Sequence, residues 1–135
     1  MTETKDLDRF ISSWKEEEGG TKTAFIALKQ HLEQNRDVTV FFKARPAISY
    51  SLRARRNGQE KELFVMVDVI DDDPDNRWLS VCFYKEMITD PDGLGDLVPG
   101  GLLGEDGYCF DIEPGDTGMV EYVMNRIDEA YRTAA

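Results

Sequence analysis

The chain has 135 residues, 41% hydrophobic and 32% charged, with 27 acidic side chains against 16 basic ones and a formal net charge of −11. That length suits one domain, residues 1–135, with a single core that needs neither disulfides nor a structural metal. The charge argues against nucleic acid and anionic membranes as partners, since both repel such a protein at long range, and the longest apolar run, Leu63 to Val67, is far too short to cross a bilayer.

In chain order, Leu7, Phe10, Ile11 and Trp14 recur at helical spacing, with Asp6 as N-cap and Gly19-Gly20 after the last turn. The run Glu16-Glu17-Glu18 reads as the solvated end of this helix. A second helix, capped by Thr21 or Thr23, carries the stripe Phe25, Leu28 and Leu32, and its His31 is assigned no role. Val38 to Lys43 is the first strand, and Arg45-Pro46 the turn after it. Ala47 to Arg55 is the second, with Ile48, Tyr50, Leu52 and Ala54 on one face and Ser49, Ser51, Arg53 and Arg55 on the other.

Asn57-Gly58 is a strong hairpin signal and leads into the third strand. There Leu63, Val65, Val67 and Val69 alternate with Phe64, Met66, Asp68 and Ile70, a period of two that puts one aliphatic row against a core. The acidic turn Asp71 to Asn76 returns the chain into a fourth strand, whose row Leu79, Val81 and Phe83 faces the core while Trp78, Ser80, Cys82 and Tyr84 form a mixed row. From Met87 to Gly107 the alternation stops among Pro and Gly breakers. Tyr108 to Ile112 is a fifth strand, and a helix from Thr117, capped by Asp116 or Thr117, presents Val120, Val123, Met124, Ile127, Ala130 and Tyr131 on one face. The expected fold is α+β: a single antiparallel sheet of about five strands in a meander, with two N-terminal helices and one C-terminal helix packed on it.

No constellation meets the geometric needs of catalysis, so no residue is assigned a catalytic or metal-binding role and no cofactor is expected. Asp90 to Asp96 opens like a calcium loop, but Leu94 and Gly101 stand where later ligands are required. The glycines between Gly93 and Gly107 lack the lysine and following helix of a phosphate cradle. Cys82 and Cys109 read as two small buried thiols that neighbouring strands could bring close, and Asp68 as facing water or pairing with Arg53 or Arg55.

Between Lys43 and Lys61 six basic residues face one acid, Glu60. Arg45, Arg53 and Arg55, with Ser49 and Ser51, therefore form a row suited to a small anionic ligand or an acidic partner peptide. The competing reading is a solvated face whose charges discourage edge-to-edge aggregation. Trp78, Tyr84 and Phe64, left outside the core, would serve a homodimer or partner interface. Glu86 to Gly107 is the expected functional loop, packed through its leucines, with Gly100 and Gly101 allowing close approach of a ligand and its acids meeting the arginine row.

The order of helix, antiparallel strands and helix from about Thr21 to Tyr131, with the Asp-rich turn and a closing helix ending in Ala130-Tyr131, resembles frataxin-like iron-chaperone domains and related small bacterial families of unknown function. Those domains have a single N-terminal helix where two are read here. The resemblance implies weak iron binding by surface acids of the first helix and an edge strand. The expectation is thus a small acidic binding or interaction domain without catalysis, acting through a homodimer or a protein partner. Acidic metal handling is the alternative and an unrecognised enzyme the third reading. The start, lacking the basic end and apolar stretch of a secretory signal, predicts a cytoplasmic protein.

Overall fold

Residues 2–14, 20–73 and 76–134 are described by a computed structural model of the chain. Its elements are α1 (Thr2–Ser13), α2 (Thr21–Glu33), β1 (Val38–Arg45), β2 (Ser49–Arg56), β3 (Val65–Ile70), β4 (Trp78–Tyr84), a 3₁₀ turn (Lys85–Met87), β5 (Asp96–Leu102), β6 (Glu105–Ile112) and α3 (Thr117–Thr133). All six strands pair antiparallel in the order β1-β2-β3-β4-β6-β5. The α+β class and single sheet are as expected, with six strands in place of five.

The extra strand is β5. Its sequence, Asp-Leu-Val-Pro-Gly-Gly-Leu, has no alternation, because its register breaks between Val98 and Leu102 and nearly every side chain is exposed. Proline lacks the donor that an inner strand needs, so Pro99 is tolerated only at an edge. Leu103 and Gly104, both with positive φ, supply the two-residue turn that returns the chain into β6. The segment expected to be a long loop is therefore half loop and half hairpin. The Asn57-Gly58 turn is also wider than its motif suggests. Residues 57–64 separate β2 from β3, and the buried Gln59 fills that bend, accepting from the Arg56 amide at 2.6 Å and donating to the Leu63 carbonyl at 2.9 Å.

One face of the sheet carries Tyr50, Leu52, Ala54, Val65, Val67, Val69, Leu79, Val81, Phe83, Phe110 and Ile112, and every helix packs on this side. Phe25, Leu28 and Leu32 of α2 and Val123, Ile127 and Ala130 of α3 are fully or almost fully buried there. Asp116 caps α3 by accepting from the Met119 amide, as expected. The other caps differ. Asp6 lies inside α1, which begins at Thr2, and α2 is entered through Gly20, leaving the Thr21 hydroxyl to donate to the Arg77 carbonyl at 2.8 Å.

His31, given no role, meets Asp128 of α3 at 2.8 Å, an acid 97 residues away. A second polar clasp joins α3 to the sheet: the Tyr131 hydroxyl donates to Asp37 at 2.6 Å, and Arg56 bonds Asp37 at 3.1 Å and the Tyr131 carbonyl at 3.0 Å. Tyr131 and Arg56 hydrogen bonds hold the Asp37 carboxyl below its ordinary value against the opposing effect of desolvation.

The corner beneath α1 rests on a buried ion pair. Arg77 Nε lies 2.7 Å from Asp71 Oδ1, with side chains only 13% and 5% exposed. The guanidinium sits 5.3 Å from the centroids of Phe10 and Trp14 and 5.5 Å from that of Tyr50, a cation held against ring faces. Asp71 in turn accepts from the Ala47 amide at 3.3 Å, steadying a β1–β2 turn in which Ala47 has φ of 67°. Arg77→Ala strands a buried carboxylate, and the expected loss is about 3–5 kcal/mol, measured by urea unfolding. A loss near zero would show that the corner is held by its apolar contacts alone.

Candidate functional site

No helix among the described residues covers the other face of the sheet. The registers align its side chains in rows across the strands. Arg45, Ser49, Ile70 and Trp78 form the first; Lys43, Ser51, Asp68, Ser80 and Asp111 the second; Phe41, Arg53, Met66, Cys82, Cys109 and Asp96 the third. The arginine and serine residues singled out above thus share this face, with Trp78 half-buried at its end.

The face is divided by charge. Lys43, Arg45, Arg53 and Arg55 lie on β1 and β2, whereas Asp111 and Asp96 lie on β6 and β5. Three inter-strand spacings, about 14 Å, separate β2 from β6, further than the screening length of about 8 to 10 Å in physiological salt. The two halves therefore do not neutralise each other. Among the described residues none of Lys43, Arg45, Arg53, Asp68, Asp96 and Asp111 takes part in an ion pair. Burial, reinforced by the Asp96 and Glu113 charges, pushes the Asp111 carboxyl above its ordinary value.

Asp68 lies between the halves. Burial raises its pKa, moderated by a hydrogen bond from Ser51 and the charges of Arg53 and Arg45, and its Oδ1 is buried without a hydrogen-bond partner. The expected pairing with Arg53 or Arg55 is replaced by a relay, because Arg53 Nε donates to Ser51 Oγ at 3.0 Å and Arg55 turns away to the Gln59 carbonyl at 2.6 Å.

Two residues expected at an interface are in the core. Phe64 is fully buried and meets Tyr131 edge-on at 5.9 Å, because the chain bends before β3. Tyr84 faces away from the helices, as alternation requires, yet Lys61 lies over its ring at 4.6 Å and seals it by bonding Glu105 at 2.5 Å and Glu86 at 3.0 Å. Those carboxylates raise the lysine pKa. Gly100 and Gly101 sit on β5, at the opposite edge from the arginine row. The loop acids do not reach that row. Asp90 instead closes its own turn, accepting from the Leu94 and Gly95 amides and from the Tyr122 hydroxyl.

Cys82 and Cys109 are not separate thiols. They stand opposite each other on β4 and β6, Cα atoms 4.2 Å apart, and form a disulfide at the centre of this face. Local sequence could not show this, since the strand order that brings them together is non-local. The same holds for Asp111 and Asp96 as the counterpart of the basic half.

Among the described residues no group of three His, Cys, Asp or Glu converges to hold a metal ion; Glu16, Glu17 and Glu18 lie outside those residues. The helical side has an apolar cleft of about 530 Å³ between α2, α3 and the end of β6, lined by Ala24, Ala27, Ile112, Val120 and Met124 with Glu113 and Glu121 at its margin. No family model, curated protein or solved structure matches the chain, so the frataxin-like likeness rests on outline alone.

Two measurements probe this face. A raised folded-state pKa means that Asp68 contributes stability below its ordinary value of 3.8 and loses it as pH rises through the folded value. Asp68→Asn should therefore stabilise the protein at pH 7 by about 1 kcal/mol, with the gain vanishing towards pH 4, as read from thermal melts. For the disulfide, whose cysteines are 27 residues apart, Cys82→Ser with Cys109→Ser should cost about 3 kcal/mol in oxidising buffer. In dithiothreitol most of that difference should disappear.

Proposed function

We propose that this chain is a non-catalytic interaction module that engages a protein partner, or a second copy of itself, through the open face of its sheet. The observation that carries the reading is a face that no helix of the described residues covers, bearing basic and acidic groups that form no ion pair among those residues. Charges so arranged add little to the fold, but they orient a partner, raise the encounter rate and reject surfaces of the wrong sign. Arg45, with Ser49 beside it, is the point at which a small anion would first be held.

A cytoplasmic location belongs to the proposal. There the cellular thiol pool would hold Cys82 and Cys109 reduced, and the face keeps its charges in either state. Among the described residues no helix is long and apolar enough to cross a membrane.

A photo-crosslinking residue at Met66, partly exposed in the middle of the open face, tests the reading in cells against one at Asn125, exposed on α3. Adducts are expected from Met66 and not from Asn125, and they should diminish when Lys43 and Arg45 are both changed to glutamate. Equal labelling from both positions, or none from Met66, would remove the open face as the working surface.

A further inference from the structure

We infer that the partner is a second copy of this chain, docked face to face about a two-fold axis that runs parallel to the strands between β3 and β4. The inference rests on the open face being the working surface and adds what lies across it.

Three strands stand on each side of the β3–β4 midline. A two-fold axis along that line carries β3 over the partner's β4 and β2 over the partner's β6. Because the axis is parallel to the strands, each row meets the same row in reverse order. In the first row Ile70 comes to face the partner's Trp78, an apolar pair. In the second, Asp68 lies over the partner's Ser80, and Lys43 approaches the partner's Asp111. In the third, Met66 meets the partner's Cys82, while the basic strand β1 lies over the partner's β5, which carries Asp96. Every contact is made twice, as an isologous interface requires. Sheets stack about 10 Å apart with strands inclined by about 30°, within reach of lysine and arginine side chains.

The alternative two-fold axis, perpendicular to the strands, would set β1 on the partner's β1 and bring like charges together. Charge therefore selects both the occupant and its orientation.

The magnitudes set the affinity class. Six strands at about 4.8 Å spacing and some 20 Å of strand length give a face of about 600 Å², so both copies together bury roughly 1,200 Å². That is the lower limit of specific interfaces and fits micromolar dissociation. Two chains of −11 repel at long range, but this is screened beyond about 10 Å at 0.1 M salt, while paired charges at contact persist.

The test is sedimentation equilibrium of the full chain at about 100 µM in about 0.1 M salt. It uses exposed positions only, so the core is spared: Lys43→Glu with Arg45→Glu, and Asp96→Lys with Asp111→Lys. Wild type should be dimeric. Each double variant, with the exposed charges of one half reversed, should dissociate at least about tenfold more readily. An equimolar mixture of the two should form a heterodimer, and the chain carrying all four changes should dimerise again. Circular dichroism confirms that each variant is folded.

Monomeric wild type overturns the second copy, and so does a dimer that neither reversal weakens. If wild type is monomeric while the Met66 crosslinker captures a different protein, the second copy fails and the open-face reading stands. With no Met66 adduct of any kind, both fail.

Discussion

A single guanidinium fixes how helices and sheet meet. Arg77 closes the acidic turn after β3 by binding Asp71, while its faces lie against Phe10, Trp14 and Tyr50 and its carbonyl receives Thr21. A buried pair of this kind gains little over a well-packed apolar alternative, since desolvation cancels most of the attraction. What it supplies is position. The aromatic group of α1, the entry to α2 and the β1–β2 turn around Ala47 are all referred to the same two residues. With Phe10 stacked on Tyr50 at 4.1 Å, α1 is held to the side that α2 and α3 also occupy.

One-sided layering explains the chemistry of the rest. A sheet with helices on both faces would bury both rows of each strand; here only one row needs to be apolar. The other row is free to carry serine, aspartate and arginine. Ser51 and Arg53 are nevertheless almost fully buried, with no helix of the described residues lying over them. The polar face is therefore a packed layer whose members, through the Arg53–Ser51–Asp68 relay, already have fixed positions.

Where burial is one-sided, the sequence was readable. Val65, Val67 and Val69, and Leu79, Val81 and Phe83, lie on the helical face as their alternation predicts, and the basic row on β2 follows from the same period. Alternation states which way a residue points and not what lies above it, so Tyr84 points outward and is still sealed by Lys61. β5 escaped because an exposed edge strand has no buried row to impose a period, and Pro99, Gly100 and Gly101 resemble a loop. The cross-strand cysteines, the division of the face by charge and the pairing of His31 with Asp128 all depend on strand order or on helices meeting far along the chain. Local patterns do not encode these.

The clasp at Tyr131 places a condition on how the protein comes into being. Asp37 and Arg56, at one end of the sheet, pair with each other early in the chain, but the Tyr131 that completes their clasp and the Asp128 that meets His31 both lie on α3. β6 must also pair with β4 across the intervening β5, which lies outside it at the edge. Contacts so distant in sequence slow folding, because the loops must close before the contacts reward them. On the ribosome the first four strands would emerge long before α3 is available to cover their apolar side, and for several seconds that side would be open to chaperones.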